Sequence, residues 1–157
     1  MSKLRLVALV RPGEVYPDGT WKTRREFLDF VVDGQSLFKE LVRTKGTDLV
    51  STLWLDKKSV EASVRAAQTL MLLRPSELPT GRCPIFICPE CGDFGCGAVT
   101  AVIERDQTGY RWRDFVLESD YEDHPVAEYN DVGPFSFDAT DYEPTLQGAI
   151  ETLRTLQ

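Results

Sequence analysis

The sequence has one histidine, two methionines and four cysteines in 157 residues. With a single histidine, any Ser-His or Cys-His couple must use His124. Its neighbours Glu122 and Asp123 favour the protonated ring and blunt it as a base. No G-x-x-x-x-G-K-[ST], G-x-S-x-G or H-E-x-x-H motif occurs, nor a G-x-G-x-x-G after a strand, which removes the common signatures of nucleotide, acyl-transfer and zincin chemistry. The adjacent acids Glu122 and Asp123 have no apolar surroundings to split their pKa values. No regular D-x-[DN]-x-[DN]-G ladder binds calcium. These absences argue against an enzyme. No apolar run approaches the roughly 18 residues that a membrane span needs. Basic charge is also missing from one long region. Eleven acids lie between Asp114 and Glu151 with no Lys or Arg among them, so all 18 basic residues lie elsewhere. The net charge is −7, and its concentration in this region disfavours nucleic acid as a partner.

What is present describes a chain long enough to bury its own core as one domain over 1–157. The opening MSKLRLVALVRPGE alternates like a strand and lacks a leader's cleavage site. The expectation is a cytoplasmic protein whose thiols stay reduced. Four cysteines then point to metal, redox chemistry or burial rather than a disulfide framework.

KLRLVALV (3–10) and REFLDFVV (25–32) read as strands of one hairpin. QSLFKELVRT (35–44) has helical spacing, with Ser36 as its cap. DLVSTLWL (48–55) reads as a strand or a lead-in. Asp56 caps a helix from Lys57 to about Leu73, closed by Pro75 and Pro79. PIFIC (84–88), GAVTAVIER (97–105) and YRWRDFVLE (110–118) form a three-stranded antiparallel meander, about 84–118. Residues 119–133 are a long acidic loop, and PFSF (134–137) is a short strand. A terminal helix starts near Tyr142 with Asp141 as cap and turns Leu146, Ile150 and Leu153 inward. The fold class is α+β: an antiparallel sheet with two or three helices packed on one face.

The densest local signal is CPECGDFGCG (88–97). Three uses compete for it. The first is a metal turn. Cys88-Pro-Glu-Cys91-Gly has the form of a zinc knuckle, and Cys96 is a third thiolate. The fourth ligand stays open among Cys83, His124 and Asp93. Cys83 lies five residues from Cys88, on the opposite face of a strand and roughly 16 Å away if extended. The second use is redox. Cys88-Pro-Glu-Cys91 matches C-P-x-C, but three glycines within the next six residues oppose the helix N-terminus that lowers such a thiol's pKa. The third is a shaped hairpin connection. Here Gly92, Gly95 and Gly97 supply special backbone angles or close approach, and Phe94 packs back on the sheet. RWRDF (111–115) reads as two-sided strand patterning, Trp112 and Asp114 on one face and Arg111, Arg113 and Phe115 on the other, rather than a nucleic-acid surface.

VVDGQSL, CPECGDFGCGAVTAVIER, RWRDF and GPFSF in this order resemble a group of small, uncharacterised and largely actinobacterial proteins. They share a C-x-x-C-G-D-x-G-C-G hairpin and a W-x-D-F strand. The resemblance spans about 30–150. No activity is assigned to that group, so no catalytic residue carries over. It implies that Cys91, Gly92, Asp93, Gly95, Cys96 and Gly97 form a structural signature.

The leading expectation is a non-catalytic protein-binding module, such as an immunity or inhibitor protein. It would present Glu118, Asp120, Glu122, Asp123, Glu128 and Asp131 to a basic protein. The first alternative is a zinc-stabilised structural or regulatory module on Cys88, Cys91 and Cys96. The second is a thiol oxidoreductase using Cys88 and Cys91. The expected cofactor is none, or one structural zinc. No nucleic acid or membrane partner is expected.

Overall fold

The structure, a computed structural model, describes residues 1–43 and 45–157, without the side chain of Arg43. Alternating Leu4–Arg11 (β1) runs to the turn residues Pro12 and Gly13. A two-stranded ribbon of Glu14–Val15 (β2) and Trp21–Lys22 (β3) follows. The chain returns as Arg25–Val32 (β4), which pairs antiparallel with β1 from Leu4 opposite Val32 to Arg11 opposite Arg25. The expected hairpin partnership of these strands is thus present, with the ribbon inserted between them.

The helix expected over 35–44 is different. Asp33 and Gly34 both take positive φ, at 50° and 82°. An Asp-Gly pair with both angles positive makes a two-residue hairpin turn. The chain after it, Gln35–Ser36 (β5), therefore pairs back onto β4. Only Phe38–Arg43 coils, as a wide π-type turn, and Thr44 lies outside the described residues. The buried Asp29 carboxylate holds this corner, accepting from Ser36 Oγ and from the Phe38 N–H at 3.0 Å. Burial raises its pKa.

Val50–Ser51 (β6) leads to a 3₁₀ turn, Lys57–Ser59, and to Val60–Leu70 (α1). Asp56 caps this entry by accepting from the Lys58 N–H. The helix ends at Leu70, before the expected Leu73, and Leu72 takes a φ of 57°. Cys83–Ile87 (β7), Ala98–Arg105 (β8) and Gly109–Glu118 (β9) form the expected antiparallel meander. Ala127–Glu128 (β10) and Phe135–Asp138 (β11) add to successive stretches of the free edge of β9. The chain closes with Ala139–Arg154 (α2). The larger sheet has the order β10-β9-β8-β7-β6, with β11 also on β9. Main-chain bonds from Leu28 to Leu53 and from Leu55 to Glu26 tie it to the β1-β4-β5 sheet. The fold is α+β.

Two local expectations need correction. The α2 cap is Asp138, which accepts from the Thr140 N–H at 2.9 Å. Asp141 lies inside the helix and accepts from the Leu4 N–H at 3.3 Å. In β9 the register slips between Thr100 opposite Val116 and Val102 opposite Arg113. Asp114, at φ 55°, belongs to the extra residue's kink. Such a bulge re-phases the strand. Trp112 and Phe115 therefore both enter the core, with ring centroids 6.4 Å apart, instead of facing opposite sides.

The main core joins Leu4, Phe30 and Val32 of the small sheet to Phe86, Trp112 and Phe137 of the large one. α1 and α2 close it with Ala67, Leu70, Leu146 and Ile150. No helix among the described residues is long and apolar enough to cross a membrane.

Candidate metal-binding turn

The cysteine turn begins where β7 ends. Ile87 is the last paired residue, and Cys88 follows. The Gly92 N–H donates to Cys88 O at 3.0 Å, folding the three residues between them back on themselves. Gly92 has φ 66°, and a Cβ there would lie 3.1 Å from Cη2 of Trp54. Backbone angle and space thus both call for glycine. Asp93 then caps a short 3₁₀ turn, Phe94–Cys96, by accepting from the Gly95 N–H at 2.9 Å. Gly97, at φ 143°, returns the chain into β8. Phe94 packs on the small cluster of Phe27, Val50, Trp54, Ile87 and Ala98.

Residues from far away in the chain hold this turn rigid. Glu90 accepts from the Thr23 N–H at 2.9 Å and from the Thr23 hydroxyl at 2.6 Å. It also pairs with Arg11 Nη1 at 2.8 Å. These bonds, led by the Thr23 hydroxyl, hold the Glu90 carboxyl down at about 2. Arg11 is almost fully buried and also pairs with Asp48 at 2.6 Å. Arg25 donates to Pro89 O at 2.6 Å, and its guanidinium lies 4.2 Å from the centre of the Trp54 ring. Nothing in the local pattern of the sequence marks Arg11, Thr23, Arg25 or Trp54 as partners of the turn. Only Glu90, a charged residue inside C-P-E-C, carried a visible signal.

The result is a convergence of sulfur. The Sγ atoms of Cys88, Cys91 and Cys96 all lie within 4.8 Å of one another. Cys91 and Cys96 are 3.0 Å apart. Thiolates on a tetrahedral ion at about 2.3 Å would stand about 3.8 Å apart, so small side-chain movements suffice. The Cys91 thiol is lowered, first by its hydrogen bond with Cys96 and also by the Asp93 N–H, 3.4 Å from its sulfur. The same S–H bond pushes Cys96 up to about 11. The three thiols could bind a metal ion.

The other residues singled out in the sequence scatter. Cys83 is buried in β7, and burial pushes its thiol up to about 11. Asp93 is engaged in capping its own turn. His124 is exposed in the segment between β9 and β10 and lies outside the converging group. The six acids divide. Glu118 accepts from the Thr100 hydroxyl at 2.6 Å and pairs with Arg82 at 3.4 Å. Asp131 pairs with Lys45 at 2.9 Å. Asp120, Glu122, Asp123 and Glu128 are exposed and form no ion pair with the described residues. The C-P-x-C pair lacks the helix that redox use favours, because Cys91 leads into the 3₁₀ turn and then β8.

Beside the turn lies a cavity of about 390 Å³, with Thr52, Trp54, Ser63, Cys91 and Phe94 among its walls. Thr52 Oγ1 is the one buried side-chain polar atom without a hydrogen-bond partner among the described residues.

Comparison with protein-family models, with curated proteins and with solved structures finds no match.

Proposed function

We propose that the protein is a zinc-binding module, structural or regulatory rather than catalytic, that holds one ion on the β7–β8 connection through Cys88, Cys91 and Cys96. The observation that carries this reading is the approach of the three sulfurs to within 4.8 Å of one another. They sit on a turn that Glu90, Arg25 and Trp54 already hold in shape. A preorganised turn lowers the ordering cost of binding. Thiolate ligands favour zinc over hard cations such as magnesium and calcium. An acidic surface for a basic partner is less well supported, because Glu118 and Asp131 spend their charge on Arg82 and Lys45.

The test is metal analysis of protein purified without chelators. Close to one zinc per chain is expected, falling to background in Cys88→Ser, Cys91→Ser and Cys96→Ser. Less than about a tenth of an equivalent in the unaltered protein, after reduction and zinc loading, would reject the reading.

A further inference from the structure

Three thiolates leave one position of a tetrahedral ion unfilled. We propose that the Asp120 carboxylate fills it, so that the bound ion clamps the exposed segment 119–126 onto the cysteine turn. This rests on the zinc reading above and adds to it a ligand and a consequence.

Asp120 is tied to the cysteine turn by its own main chain. Its N–H donates to Gly95 O at 3.1 Å. Its carboxylate presses on Gly95 so closely that a Cβ there would collide with Oδ2. Gly95 immediately precedes Cys96. The carboxylate therefore lies against the residue next to Cys96, outside the group of sulfurs that stand within 4.8 Å of one another, with its main chain already pinned to the turn. The side chain has no hydrogen bond or ion pair with any described residue, so no existing bond must break when it swings from Gly95 toward the ion. Asp93, the other carboxylate of the turn, is committed to the Gly95 N–H. Cys83 is sealed in the core. His124 lies four residues further along the exposed segment and is attached to nothing on the turn by any described bond.

The consequence follows from the attachments of that segment. Val126 N–H to Leu117 O closes its base at 2.7 Å, and Glu122 N–H bonds only to Ser119 O within the segment. Among the described residues, apart from Val126 at its base, the Asp120 N–H is the one main-chain donor inside it that reaches another element. Coordination through the same residue adds a second, stronger tie. Glu122, Asp123 and His124 would then be held in one arrangement in the zinc-loaded protein and released when it is stripped.

The experiment measures zinc affinity by chelator competition, and amide hydrogen exchange over 119–126 with and without zinc. It uses the unaltered chain, Asp120→Asn, Asp120→Ala and His124→Ala. Asp120→Asn keeps the size of the side chain and guards against misfolding of the alanine variant. Both Asp120 variants are expected to bind zinc at least about 10-fold more weakly and to lose the zinc-induced slowing of exchange, while His124→Ala retains both. Equal affinity and equal protection in the Asp120 variants would overturn the fourth ligand and leave the three-thiolate site standing. Loss of affinity and protection in His124→Ala alone would assign the position to the histidine. An unaltered chain that takes up no zinc would end both proposals.

Discussion

Glu90 shows how one side chain can carry the geometry of a site without touching the atoms that define it. It sits between Cys88 and Cys91, yet its partners are Thr23 and Arg11. The bond count around it makes the folded state prefer the carboxylate, with its pKa falling from an ordinary 4.5 to about 2. The unfolded chain has no such preference and takes up the proton first on acidification. The stability contributed by Glu90 is therefore complete above pH of about 4.5 and disappears as the pH falls toward about 2. Urea midpoints measured across this range should fall more steeply for the unaltered protein than for Glu90→Gln, and the two curves should converge at the acid end. Parallel curves would mean that the carboxylate is not bound as described. Nothing local betrays these partners. Arg11 and Thr23 lie 79 and 67 residues away in sequence, and such contacts leave no mark on hydrophobic period or turn chemistry.

At the scale of elements, the readable ones were those whose pattern is local. The alternation in β1 and β4 and the turn residues from Asp106 to Gly109 mark their strands directly. Asp106 accepts from the Thr108 and Gly109 N–H groups, as a hairpin end requires. The boundaries went astray where two local signals compete. In DATDYEP both Asp138 and Asp141 are competent caps. Pairing of Phe135–Asp138 with β9 holds the chain extended up to Asp138, so the helix can start at once behind it. Asp138→Ala should lower stability by about 1 kcal/mol, read from chemical denaturation. A silent Asp138→Ala would show that its carboxylate does not cap the helix. Likewise, strict alternation assigns Trp112 and Phe115 to opposite faces, and only the bulge at Asp114 reconciles both with burial.

The whole molecule is joined at Tyr142. Its hydroxyl donates to Leu70 O at the end of α1 and accepts from Trp112 Nε1 at 3.0 Å in β9. Its ring stacks on Tyr110 and Phe137, with centroids 4.3 and 5.4 Å away. One residue of α2 thus locks both helices to the large sheet. Tyr142→Phe keeps the rings in place but strands the indole N–H in a dry interior. It should cost about 1–3 kcal/mol. A denaturation midpoint equal to that of the unaltered protein would show that the hydroxyl carries none of this joint.

The sequence by itself determined the α+β class, the meander and the cysteine turn between its first two strands. Each follows from side-chain alternation, helical spacing or turn residues within a few positions of one another. The convergence of Cys88, Cys91 and Cys96 was half legible, because their spacing brings them near but cannot orient them. Only the tertiary structure decided which residues brace that turn, which acids are already paired and which carboxylate lies against Gly95. Those outcomes depend on contacts between elements distant in the chain, where the geometry of packing, and not the order of residues, chooses the partner.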